Sequence, residues 1–172
     1  MKTGKKILVG IAAGLVASWL KSLTEPPLQK IGLELFPTTE NELKIKGADI
    51  SGHPENMPPA ILVKKIGENF MGEIVSDKKA VEIMPIIHYT LGTAIAISYV
   101  FARNKNKTFG MIAGIPAGFL IFASTHGSTV PALDLQGNLK KMPRSWWVWE
   151  MGSHLLFGFF LEQNTKIFKK IL

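Results

Sequence analysis

Four apolar stretches, Ile7–Leu23, Met84–Ala102, Phe109–Thr125 and Trp146–Leu161, decide what this chain can fold into. They are 16 to 19 residues long, close to the ~20 that carry a helix across a hydrocarbon core. Each is apolar on nearly every face, whereas a helix of a soluble bundle confines its apolar residues to one stripe. Gly110, Gly114, Pro116 and Gly118 within the third run also suit a membrane helix. The sequence therefore predicts an all-α integral membrane four-helix bundle forming a single domain. Its spans are expected at about 7–25, 84–102, 109–126 and 146–162, with 26–83 as a long extracytoplasmic loop. A soluble bundle of four buried helices is the alternative. The first run also has the outline of a secretory signal, with Lys2, Lys5 and Lys6 before it and Val16-Ala17-Ser18 inside it. Because Lys21 and Glu25 continue a helical face begun within the run, it is read as a membrane helix.

The charge distribution orients the spans. The formal charge is +7, which at first suggests nucleic acid as a partner. The basic residues instead form short clusters beside the apolar runs, with no aromatic stacking platform among them, so nucleic acid is not expected. Lys2, Lys5 and Lys6, then Arg103, Lys105 and Lys107, then Lys166, Lys169 and Lys170 fall on one face if the span count is even. Only Glu162 opposes them, so this face is expected to be cytoplasmic, with both termini inside. The segment 24–83 carries seven Lys against ten acids and belongs outside, where Lys140, Lys141 and Arg144 also fall. The high apolar content excludes disorder. The absence of Cys excludes a disulfide scaffold.

The outer loop is too long for a structureless link. Pro58-Pro59 begins a predicted amphipathic helix carrying Ile61, Leu62, Ile66, Phe70 and Met71. It either lies on the outer leaflet or packs on the spans as a lid. Trp146, Trp147 and Trp149 open the fourth run and read as interfacial anchors. Small residues follow helical spacing in every span: Gly10, Gly14 and Ser18 leading to Lys21 and Glu25; His88, Gly92, Ala96 and Tyr99; Gly110, Gly114 and Gly118; and Glu150, His154, Gly158 and Glu162. Such faces let helices approach closely, pointing to a tight bundle in the lipid bilayer or a homo-oligomer.

With this topology Lys21, Glu25, His88, His126, Glu150 and His154 all fall in the outer leaflet. Ionisable groups at such depth are costly and turn toward the protein interior. Three readings follow. In the first, the group is ordinary interfacial polarity on a structural scaffold. Lys21, Glu25, His88, Glu150 and His154 could form a proton or ion site, since His titrates between about pH 5 and 8. Or His88, His126, Glu150 and His154 could ligate zinc or iron, with Glu150-x-x-x-His154 placing two donors on one helix face. No nucleophile motif, phosphate loop or dinucleotide fingerprint is present, so no catalytic residue is assigned and an enzyme is not the leading expectation.

Taken in order, Gly14 to Ser18, Lys21, Glu25-Pro26-Pro27, Pro58-Pro59, His88, Gly110 and Gly114, Pro131, Asp134-Leu135, Pro143, Glu150-x-x-x-His154 and Glu162 resemble the YagU family of bacterial inner-membrane proteins. The likeness covers nearly the whole chain. It implies a multi-pass cytoplasmic-membrane protein of undefined activity, with a suggested link to acid resistance. The leading expectation is therefore pH-responsive or proton/ion handling in envelope acid stress. A metal-binding membrane protein, with or without enzymatic activity, is the runner-up.

Overall fold

The computed structural model describes residues 1–172, and every regular element is helical. The α-helices are α1 (Thr3–Leu35), α2 (Glu40–Leu43), α3 (Pro58–Ile66), α4 (Asp77–Lys105), α5 (Ile115–Ser124), α6 (Val130–Ala132), α7 (Arg144–Trp146) and α8 (Gly152–Ile171). Three π turns, Gly67–Met71, Thr125–Thr129 and Trp147–Met151, join or extend them. A π turn fits one extra residue into an α-helix and re-aims the side chains that follow.

Three segments are long and apolar enough to cross a membrane: Thr3–Leu35, Asp77–Lys105 and Lys107–Ala132. Their apolar side chains are largely on the outside, among them Leu8, Leu15, Trp19, Leu23, Ile86, Leu91, Phe119 and Leu120. Exposed apolar residues on that scale mark a membrane protein. The helical run 144–171 is not one of the three. Its three Trp, together with Glu150, His154 and Glu162, hold its hydropathy down. The fourth predicted span stands as a helix.

The helices also depart from the span boundaries read from sequence. α1 does not end near residue 25 but runs through Pro26 and Pro27 to Leu35. Neither proline can donate to the helix, which leaves the carbonyls of Ser22 and Leu23 without their usual donors. The turn just before is pinned by the Ser22 hydroxyl donating to the Trp19 carbonyl and the Thr24 hydroxyl to that of Lys21. At 33 residues α1 is about 50 Å long, well beyond a hydrocarbon core of about 30 Å. The third segment starts late. Lys107–Gly114 is a 3₁₀ stretch broken by left-handed Ile112, Ala113 and Gly114, and α-helix begins only at Ile115. Gly110 and Gly114 therefore do not sit on an α-helical face with Gly118.

The chain forms two compact units. The first comprises residues 1–24, 89–122 and 151–172. Within it Gly10 abuts Ile97, Gly14 abuts Thr93 and Ala96, and Lys6 lies over the Phe101 ring, so α1 and α4 run antiparallel. Gly114 meets Gly158 and Gly118 meets His154 and Leu155 in the same antiparallel sense. The core of this unit is Val9, Ala13, Ala17, Ala96, Tyr99, Val100, Ala117, Phe157 and Leu161.

The second unit comprises residues 25–88 and 123–150. The predicted loop 26–83 is thus an ordered part of a folded body. α3 has Pro58 in its first turn, where the missing N–H costs nothing. It buries Ala60, Ile61 and Val63, with Ala60 and Val63 clustered with Ala80, while Ile66, Phe70 and Met71 stay outside. Gln29 donates to Asp49, whose same oxygen accepts from the backbone N–H groups of Ser51 and Gly52. Lys46 pairs with Asp134, and Lys64 with Asp77.

Candidate metal centre

Two of the three π turns carry the chemistry of the second unit. His126 lies in Thr125–Thr129 and Glu150 in Trp147–Met151. Their side chains meet, with His126 Nε2 3.3 Å from Glu150 Oε1. Both are withdrawn from solvent, the His126 side chain 13% and the Glu150 side chain 3% exposed. Trp146 presents an edge-on ring contact to His126 at 6.1 Å.

The other imidazole nitrogen fixes the electrostatics. His126 Nδ1 faces Gln136 Oε1 at 2.5 Å. An amide oxygen only accepts, so Nδ1 donates and carries a proton. Nε2 is then aimed at a carboxylate oxygen, which also only accepts. A proton or a metal ion between the two would complete the contact. Two donor atoms each ~2.0–2.1 Å from a tetrahedral zinc stand ~3.3–3.4 Å apart, and the observed separation fits that edge.

Gln136 is held by what surrounds it. Asp134 takes a left-handed conformation that turns the chain back after α6, and Leu135 N–H donates to the Val130 carbonyl. Lys46 Nζ reaches both Asp134 oxygens at 2.9 Å, and Gly137 N–H donates to the Lys46 carbonyl. Lys46, then Lys65, holds the Asp134 carboxyl below its usual range.

The remaining predicted residues fall as follows. Lys21 and His154 belong to the first unit, both buried. Glu25 and His88 belong to the second, Glu25 buried and His88 half-buried. His154 follows Glu150 by four residues along one continuous helical run and contacts Phe122 edge-on at 5.7 Å. Within the second unit, His126 and Glu150 bring together two metal-binding donor types, an imidazole and a carboxylate. His88 is not part of that pair.

Residues 28–163 match the family described as "Protein of unknown function (DUF1440)". The chain belongs to this DUF1440 family. No curated protein and no solved structure matches it. The matched region of the family includes α3, both π turns of the candidate centre, and Gln136.

Sequence reasoning missed one buried network altogether. In the first unit Glu162 is fully buried. It accepts from Arg103 through both oxygens, from the Tyr99 hydroxyl at 2.7 Å, and pairs with Lys166 at 3.2 Å. Arg103 and Lys166 entered the sequence argument only as orienting charges. The signal that could have found the network is spacing: Tyr99 and Arg103 lie four apart, as do Glu162 and Lys166.

Proposed function

We propose that this DUF1440 protein is a membrane metalloprotein that holds a divalent transition metal on His126, Glu150 and His154. The observation that carries the reading is the 3.3 Å approach of His126 Nε2 to Glu150 Oε1, with Nδ1 already committed to Gln136. An imidazole nitrogen beside a carboxylate oxygen, both withdrawn from solvent, is what a cation between them would require. Glu150 and His154, four apart on one helical run, supply the second and third donors from a single element. Two imidazoles and one carboxylate suit zinc or ferrous iron. The separation favours zinc, because ligands ~2.1 Å from an octahedral ion stand only ~3.0 Å apart.

The same proposal sets the protein in the cytoplasmic membrane with both termini inside and the run 144–171 as a fourth crossing. Its support is electrostatic. Within the first unit, Lys6 lies over Phe101 and Arg103 pairs with Glu162, which gathers three basic clusters at one end. Because the chain has no Cys, single cysteines placed at Lys2, Lys107 and Lys170 can be labelled from either side of sealed membranes. Equal accessibility from the cytoplasmic side is expected.

Metal analysis of the full chain purified in detergent tests the centre. About one zinc per chain is expected, lost in His126→Ala and His154→Ala and reduced in Glu150→Gln. Wild-type protein that retains no zinc after dialysis against micromolar zinc would overturn the reading. The pair would then be joined by a proton, the arrangement the proton-handling expectation requires.

A further inference from the structure

We infer that residues 66–74 form a membrane-interface anchor, a closed loop that sets Phe70, Met71 and Ile74 into the lipid headgroup region beside the start of α4. The loop carries Glu68 and Glu73 and no Lys or Arg. Ile74 is 98% exposed, Phe70 84% and Met71 65%. Ile74 and Phe70 are the two most exposed large apolar side chains of the protein. Single apolar residues on a surface need no explanation, but three large ones on one short loop mark a place where something else covers them. The exposure is built into the fold. The π turn Gly67–Met71 ends at Gly72, whose left-handed φ of +68° turns the chain back. The Gly67 carbonyl then accepts from the N–H groups of both Gly72 and Glu73, which closes the loop at its neck. Val75 packs inward on Ala60, Val63 and Ala80, and a Cβ on Gly67 would overlap the Val75 side chain. With Val75 held inside, its neighbour Ile74 is left facing outward.

The place of the loop in the chain points to lipid as its cover. α4 begins just after it, at Asp77, and is one of the three segments long and apolar enough to cross a membrane. At 29 residues α4 is about 44 Å long, against a hydrocarbon core of about 30 Å. Its polar first turn, Asp77, Lys78 and Lys79, therefore extends into the headgroup layer. Ile83, Met84 and Ile87 of α4 pack on the same cluster as Val75, so the loop is fixed to that helix as well as joined to it. Apolar side chains presented at this level settle about 5–10 Å into the boundary between headgroups and acyl chains. A second copy of the chain fits the tip poorly. A symmetric contact sets a patch against itself, which would bring Glu68 and Glu73 toward their own copies. The nearest lysines of α3, Lys64 and Lys65, are already engaged with Asp77 and Asp134. Like charges withdrawn from bulk water repel strongly.

The test uses the full chain in vesicles of phosphatidylcholine. The protein has no Cys, so Phe70→Cys, Met71→Cys and Asn41→Cys each accept a single fluorescent label. Asn41 is the control, because it lies in α2, which has no buried residue. A lipid carrying a nitroxide near its headgroup should quench the two tip labels several-fold more than the Asn41 label. Iodide in the water should quench them several-fold less. Phe70→Glu combined with Ile74→Glu, read from the label on Met71→Cys, should bring both responses to those of the control, in a chain whose helical circular dichroism matches wild type. A tip label as open to iodide as the control overturns the inference. So does a tip label shielded from both quenchers, because protein then covers the loop, and so does lipid quenching that survives the double substitution.

Discussion

Gly118 and Gly158 meet backbone to backbone. A Cβ on Gly158 would overlap the Gly118 nitrogen and Cα, and it would strike the Gly114 carbonyl oxygen as well. Nothing in that contact is a flexible side chain that could give way.

Gly158→Ala should therefore destabilise the protein by about 1–3 kcal/mol, the usual cost of forcing extra atoms into a packed contact. Thermal unfolding in detergent, followed by loss of helical circular dichroism, reads the effect. Gly4→Ala is the control, because a Cβ at Gly4 meets nothing within 4 Å. It should be neutral or slightly stabilising, since alanine favours helix over glycine by ~1 kcal/mol. Equal behaviour of the two variants would contradict the close packing.

The Arg103–Glu162 pair should show the asymmetry of buried charges. Arg103→Met leaves a buried carboxylate with fewer partners, at a cost of about 3–5 kcal/mol. Adding Glu162→Leu to that variant should recover much of the loss, because no charge is then stranded. Lys166→Ala should matter little, since that ammonium is half-exposed and exposed pairs contribute at most about 1 kcal/mol. A double variant worse than the single would refute the assignment.

Ile112 offers a gain instead. A β-branched residue at φ of +46° is strained, and its side chain is 70% exposed, so little packing depends on it. Ile112→Gly should stabilise by about 1–2 kcal/mol through relief of the left-handed strain. A lower midpoint for the glycine variant would show that the isoleucine makes contacts that outweigh the strain.

Acid stability should carry a signature from Asp134. Its carboxyl is held below the usual aspartate range by Lys46 first and Lys65 second. A depressed folded value contributes stability that is present above the unfolded value and lost as pH falls through the folded one. Asp134→Asn removes that contribution while tolerating the same left-handed backbone. Between about pH 2 and 6 the unfolding midpoint of Asp134→Asn should vary less steeply than that of wild type. Parallel curves would show that the Lys46 pair adds nothing to folding.

Much of the helical framework is legible in the sequence because its signals are periodic and local. The apolar runs announce long lipid-facing helices, and Gly10 and Gly14 lie four apart, so a shared face follows from helix geometry alone. The extension of α1 through Pro26-Pro27 is not legible, because proline is a local stop signal that tertiary packing can override. Nor is the break at Ile112, where no glycine or proline marks the first left-handed residue. At the candidate centre, donor type singles out His126 and Glu150, but their pairing depends on two π turns that leave no trace in composition. Gln136 sits in an ordinary-looking polar turn. Only the fold reveals what it touches.

Those π turns make the centre sensitive to chain length as well as composition. In a regular α-helix, removing one residue rotates everything downstream by ~100° about the axis. Ser128, on the exposed side of Thr125–Thr129, could be deleted to leave a tidy α-helical turn with its hydrogen bonding intact. Gln136 would then swing away from His126 although no residue of the site had been altered. A library of point substitutions would pass over Ser128 as tolerant, whereas a single-codon deletion scan would reveal it as part of the frame in which the centre is written.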